Sequence, residues 1–289
     1  MKRPFGFLFS PLKGVSHLGN SHWATKHPEL ETYLTGLATP LSPTQVSKLN
    51  QFITSLKTGF GITSLSEVFD IMYLMAGETL ESSMRNIVKD AHHLTLINSP
   101  LWTQFEGFKG NGSSMAISTN YDPGTNGVNV SRDSLAIGIY ARTTTIGAYV
   151  ISGVTDNDSN EISITPRLNY DTVGRMYVRI NQKTYTFKPS SGDVKGMLIA
   201  SRTAPNSIRG YSNGVDLNFT GSSELSTGLS TGYNLFFLCA SIRNTRSSYS
   251  PDQIAFAFVS RGLNLADTSP VITQAVEAYM DSNDKGVIS

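Results

Sequence analysis

Near residue 107 the spacing of apolar residues changes, and this change limits the fold more than any other feature of the chain. Before it, apolar residues recur at spacings of three and four, the period of a helix. After it they alternate, the period of a strand. In "SLAIGIYAR", Leu135, Ile137 and Ile139 share one face. In "GRMYVRIN", Met176, Val178 and Ile180 lie on one face and Arg175, Tyr177 and Arg179 on the other. "TYTFK" sets Tyr185 with Phe187. "DQIAFAFVS" alternates Ile254, Phe256 and Phe258 with Ala255, Ala257 and Val259. Both sets are apolar, which predicts a strand covered on both faces. About ten such segments, separated by Gly, Asn, Asp and Pro turns, predict an antiparallel sandwich or barrel.

The stretch "GMLIASRTAPNSIRGYSNGVDLNF" gives the sharpest local prediction. Asn213-Gly214 is the signature of a two-residue type I′ hairpin turn. That register opposes Tyr211 to Asp216 and Arg209 to Asn218. Opposed residues share a face, so Ile208, Gly210, Val215, Leu217 and Phe219 face the core. Arg209, Tyr211, Asp216 and Asn218 form the other face, a candidate contact surface. A one-residue slip would mix the two sets.

Three further segments frame the strands. Residues 1–40 show no clean period and are punctuated by Pro4, Pro11, Pro28 and Pro40. They read as an extended arm, with Phe5, Phe7 and Phe9 alternating as candidate anchoring residues; a disordered terminus is the competing reading. Residues 41–98 read as a helical segment. Ser42, Pro43 and Gln45 start one helix, which carries Val46, Leu49, Ile53 and Leu56 and stops at Gly59. Ser64 and Glu67 cap a second over "SLSEVFDIMYLMAG", and a third covers "TLESSMRNIVKD". Residues 99–289 hold the sandwich, closed by a helix capped at Ser269, opened by Pro270, and turned inward at Val271, Ala275, Ala278 and Tyr279.

Composition narrows the function. The charged fraction is 16%, below the ~25% usual for soluble domains, and Ser, Thr, Asn and Gly take its place. With a net charge of +1, no global field favours nucleic acid or an anionic membrane. No apolar run approaches the ~20 residues of a membrane-spanning helix. The apolar stretch from Phe5 to Phe9 is too short for a signal-peptide core. Cys239, the one cysteine, lies in the apolar run "NLFFLCASI" and reads as a buried, inert thiol.

Motifs that carry chemistry are few. There is no nucleophile elbow, phosphate loop or dinucleotide fingerprint. "TDNDSNEIS" offers Asp156, Asp158 and Glu161 as oxygen ligands for calcium, or a solvated turn. His17, His22 and His27 recur every five residues, a spacing that puts no tight metal face on a helix or strand. His92-His93 suits a helix C-terminus. No strand carries the close carboxylate pair a sandwich glycosidase needs. The expectation is a protein that is not an enzyme and needs no cofactor or metal.

The stretches "FEGFKGNGSSMAISTNYDPGTNGVNVSRDSLAIGIYART", "GMLIASRTAPNSIRGYSNG" and "SPDQIAFAFVSRGLN" with its following helix resemble a recurring module of bacteriophage structural proteins. The resemblance spans roughly residues 41 to 283 and is a diffuse pattern with no single diagnostic motif. The module is similar to concanavalin A-like or laminin-G-like sandwiches of head and tail fibres, notably in crAss-like phages of gut Bacteroidetes. It implies a jelly-roll sandwich and a virion location reached by assembly in the host cytoplasm. It further implies homo-oligomers (fibres are usually trimers), virion partners bound through the N-terminal arm, and a bacterial or mucus glycan as ligand. A free carbohydrate-binding module or a sandwich-type glycan-degrading enzyme is the alternative. The resemblance supplies no catalytic residues.

Overall fold

Strand Leu135–Ala141 shows how the alternation is used: its odd-numbered residues enter one core and its even-numbered residues another. The computed structural model describes residues 26–147, 149–155, 160–169, 175–187, 194–219 and 225–288. Phe5, Phe7, Phe9, His17, His22, Asp156 and Asp158 lie outside them.

Two antiparallel sheets form the expected sandwich. The first runs, in spatial order, Val215–Asp216, Ser207–Ser212, Gly196–Ala204, Leu135–Ala141, Gln253–Ser260, Gly107–Lys109 and Leu101–Thr103, with Phe69–Leu74 also paired to Gln253–Ser260. The second runs Thr186–Phe187, Arg175–Gln182, Glu161–Leu168, Ser152–Thr155, Phe236–Phe237, Ala116–Ser118 and Thr95–Ile97. A hairpin of Ala240–Ile242 and Thr245–Ser247 joins it by a parallel bridge from Ile242 to Thr155.

Between the sheets, Leu135, Ile137, Ile139, Leu198, Ala257 and Val259 meet Ile162, Ile164, Met176, Val178 and Ile180. The other side of the first sheet is also apolar. There Tyr140, Met197, Ile199, Phe256 and Phe258 pack on Leu49, Phe52, Ile53 and Leu56 of helix Pro43–Phe60, and on Ile272, Val276 and Tyr279 of helix Leu265–Asp281. Strand Gln253–Ser260 is therefore covered on both faces, as its two apolar sets required. The Phe52 and Phe256 rings meet edge-on with centroids 5.8 Å apart. At about 1.5–3 kcal/mol for each large apolar side chain buried, the helix layer supports the first sheet on the same scale as the second sheet does.

Several sequence expectations need correction. The capping box of Ser64 and Glu67 is present, but it opens only the short turn Leu65–Glu67. Strand Phe69–Leu74 follows in place of the second helix. Apart from Asp70 the segment is apolar, so a helical and a strand period fit it equally over so short a run. Burial on two sides decides: Ile71 and Tyr73 enter the sandwich, while Phe69, Met72 and Leu74 face the helices. The free edge of this strand is capped at Met72, whose N–H donates to Asn86 Oδ1 at 3.0 Å and whose carbonyl accepts from Ile87 N at 2.9 Å, which blunts it against further pairing. The third helix shrinks to Leu80–Met84. Residues 41–98 thus share both cores with residues 99–289. Within the segment expected to be extended, Pro28–Thr35 is a helix.

The first long helix starts as expected, with Ser42 accepting from Gln45 N, but it ends at Gly61, whose φ is 63°. Gly59 serves another purpose: a Cβ there would lie 2.3 Å from Val271 Cγ1, so it permits the close crossing of the two long helices. The last helix begins at Leu265, with Pro270 inside it. The N–H that proline lacks would have bonded the carbonyl of Ala266, an exposed residue. The inward face is rotated accordingly: Ile272, Ala275, Val276, Tyr279 and Met280 are buried, while Val271 is half-buried and Ala278 exposed. His92 and His93 do not end a helix. His92 has a φ of 57° in a turn, with Nδ1 2.6 Å from the carbonyl oxygen of Asn120.

One polar side chain ties the two sheets together. Arg202 follows Leu198 and Ala200 on the sandwich face and is fully buried. Its Nε donates to the carbonyl of Ile180 at 2.7 Å and one terminal nitrogen to Gln182 Oε1 at 2.7 Å, both on the opposite sheet. The other terminal nitrogen donates to the carbonyl of Pro205.

Candidate functional site

The hairpin forms in the predicted register. Tyr211 pairs with Asp216 and Ser212 with Val215. Asn213 and Gly214 both have positive φ, 52° and 81°, as a type I′ turn requires. Leu217 is buried, and Ile208 and Phe219 pack against the sandwich core. The opposite face does not stay together. Tyr211 is half-buried against the helix-side core. Arg209 is exposed, with a guanidinium nitrogen 3.8 Å from Asp216. Asn218 leaves the ladder with a φ of 47°, and its N–H turns back to Asp216 Oδ1 at 2.8 Å. Val215, expected inward, is 67% exposed, because the turn carries it past the end of the core. What remains is an open depression of about 400 Å³ against Leu263 and Leu265.

The outer face of the second sheet carries a better-defined cleft, of about 130 Å³. Strand alternation builds it. With Met176, Val178 and Ile180 turned to the core, Tyr177 and Arg179 point outward. Register brings Arg179 opposite Ser163 and Tyr177 opposite Thr165. Alternation with the inward Ile162 and Ile164 leaves Glu161 in the outward set with Ser163 and Thr165. The Arg179 guanidinium pairs with the Glu161 carboxylate, which also accepts from Ser163 Oγ at 2.5 Å. Arg179 lies 3.6 Å above the centre of the Tyr185 ring, a cation–π contact that holds it in place. Tyr177 meets Tyr185 edge-on at 5.2 Å. Burial, and after it the Glu161 charge, push the Tyr185 hydroxyl above its ordinary pKa.

The rest of the lining is small. Gly153 and Ala240 lie on the floor, and Ile242, Ser247 and Ser248 belong to the neighbouring hairpin and its end. Ser241 is fully buried and its hydroxyl has no hydrogen-bond partner. The Nε of Arg179 is also unpartnered. Both atoms lie beneath the surface; what the cleft offers is an aromatic ring, an apolar floor, a neutralised ion pair and the accessible serines Ser247 and Ser248.

Elsewhere two buried carboxylates, Asp70 and Asp122, are committed to the fold. Asp70 accepts from Tyr121 Oη and from the N–H groups of Val128 and Asn129. Asp122 accepts from Gly124, Thr125 and Gly232. Among the described residues no group of three or more His, Cys, Asp or Glu is placed to hold a metal ion. His27 precedes the helix Pro28–Thr35 and lies 2.8 Å from Thr54 Oγ1. Cys239 is buried and free, and burial pushes its thiol pKa up to about 12. No helix of the described residues is long and apolar enough to cross a membrane.

Sequence reasoning placed Arg179 and Tyr177 on an outward face but singled out neither. It weighed Glu161 only as a calcium ligand or catalytic acid. The signal for the cleft was the alternation itself, which set Arg175, Tyr177 and Arg179 against a fully apolar face.

No family model matches the sequence, and no curated protein matches it. Solved structures share the broad outline. One is domain 4 of AbnA, an extracellular GH43 arabinanase from Geobacillus stearothermophilus, in complex with arabinotriose (13% identity, 72% of this chain and 98% of that one, TM-score 0.46). Another is a chain from a study of botulinum neurotoxin type C, whose cell entry depends on two ganglioside molecules (11%, 74% and 53%, 0.49). A third is the Ruminococcus gnavus sialidase CBM40 bound to α2,3-sialyllactose (14%, 66% and 98%, 0.40). This chain spans about half of that neurotoxin chain. At these scores the likeness carries no argument about function.

Proposed function

We propose that this chain is a non-catalytic, glycan-binding sandwich, carried on a bacteriophage particle as a fibre-like or decorating appendage. The observation that supports glycan binding is the cleft on the second sheet. A sugar presents apolar C–H faces and a rim of hydroxyls. The Tyr185 ring and the floor at Gly153 and Ala240 suit the first, and Glu161, Arg179, Ser247 and Ser248 suit the second. The outer face of the first sheet is sealed by helices, which leaves the second sheet as the recognition side. The commitment of Glu161 to Arg179 and Ser163 favours binding over acid–base chemistry.

The particle context rests on the sequence resemblance. A free carbohydrate-binding module would use the same cleft. A glycan array probed with the full chain tests the binding. Capture of glycans by the wild type, lost with Tyr185→Ala, supports the reading, and silence across bacterial capsular and mucin glycans refutes it. Purified phage particles test the context: the wild-type chain is incorporated, and a chain lacking residues 1–20 is not. Normal incorporation of the shortened chain removes the anchoring role of Phe5, Phe7 and Phe9.

A further inference from the structure

We infer that the cleft takes a single uncharged sugar ring, and selects it against acidic sugars. This rests on the glycan-binding reading and adds the ligand's charge and size. The charge argument comes from the described lining, which holds one cation, Arg179, and one anion, Glu161. They pair with each other, with side chains 20% and 12% exposed. A uronic or sialic acid carboxylate would need a spare cation. To obtain one it would have to pull Arg179 from Glu161, leaving a partly buried carboxylate without its partner, a costly exchange. A neutral ring needs no such exchange. Its hydroxyls can meet the accessible serines at the rim, Ser247 and Ser248, while the ion pair stays intact.

The size argument comes from the cleft volume. About 130 Å³ is well under the roughly 300–1,000 Å³ of sites for drug-sized ligands. It suits one ring at the end or side of a glycan. The floor sets this limit. A Cβ on Gly153 would stand 2.9 Å from Val150 Cγ1 and 3.5 Å from Ala240 Cα, so the space above the floor exists because residue 153 has no side chain.

Ser247 supplies a clean test. It lines the cleft and is only half-buried, so Ser247→Ala leaves thermal stability nearly unchanged while removing a ligand contact. The experiment is calorimetric titration of the full chain with methyl glycosides of glucose, galactose and mannose, and in parallel with methyl glucuronide and sialyllactose, at low and high salt. The expected result is binding of at least one neutral glycoside, insensitive to salt. Ser247→Ala should weaken it about fivefold to tenfold, the range of one hydrogen bond, and Gly153→Ala should abolish it. Preferential, salt-sensitive binding of the acidic sugars overturns the inference and leaves glycan binding standing. Neutral binding unchanged in both variants overturns the assignment to this cleft. Absence of binding to every glycoside, with silence on the array, overturns both.

Discussion

Replacing Arg202 by methionine tests the account of how the two sheets are joined. Methionine keeps much of the apolar stem and removes the guanidinium. The three shortest hydrogen bonds then lose their charged donor, those to the carbonyl of Ile180, Oε1 of Gln182 and the carbonyl of Pro205. Hydrogen bonds to a charged group contribute roughly 1.5–3 kcal/mol each, so the gross loss is about 5–9 kcal/mol. Removing the buried charge returns part of this, because the effective cost of burying an ion is several kcal/mol. The expected net destabilisation is about 3 kcal/mol, a large share of the roughly 5–15 kcal/mol that holds a domain folded. Urea unfolding followed by fluorescence measures it, as a lower midpoint with an unchanged slope. Arg202→Lys should fall between, since an ammonium cannot reach three acceptors in fork geometry. A loss under about 1 kcal/mol for methionine, or a gain, refutes the reasoning. It would mean that the acceptors find other partners and that packing alone joins the sheets.

Two further outcomes follow from charges and burial. Glu106 bonds Lys285 at 2.6 Å and Arg142 at 2.8 Å, and these partners, Lys285 first, hold its carboxyl below the usual range. The stability it supplies is present above the ordinary carboxylate value and lost as pH falls through the depressed folded value. Protection from hydrogen exchange, taken relative to the intrinsic rate at each pH, should therefore fall at acid pH for Val287 N and Ile288 N, which bond Tyr140 Oη and Glu277, and Glu106→Gln should lower it at neutral pH; protection independent of both refutes the tether. Cys239, with its thiol raised to about 12 and no exposed surface, should resist alkylation in native buffer and react at once in denaturant. Labelling of the native chain at the rate of a free thiol would contradict the packing.

The sandwich and both long helices were legible because their signals are periodic and local. Strand Arg175–Gln182 could be read from three alternating apolar residues, and the hairpin from Asn213-Gly214. Strand Phe69–Leu74 was not legible, because a six-residue run buried on both sides carries no period. Only the partner strand Gln253–Ser260, far along the chain, decides its form. Arg202 was hidden by its charge. Alternation with Leu198 and Ala200 pointed it inward, but an arginine reads as exposed until its acceptors are seen. The cleft was half legible. Alternation gave Tyr177 and Arg179 their direction, while Ser241 and Gly153 come from other strands, and no spacing rule brings them there.

The pairing of Phe69–Leu74 with Gln253–Ser260, together with the packing of helix Pro43–Phe60 on helix Leu265–Asp281, bears on how the chain is made. On the ribosome, the early helix and strand emerge long before the segments they pack against. Until then Phe52, Ile53, Phe69, Ile71 and Met72 have no permanent cover. Contacts so distant in sequence slow folding and prolong the time during which apolar surface can be captured by neighbouring chains. Synthesis rate, temperature and chaperone supply should therefore govern the yield of native protein more than the stability of the finished fold.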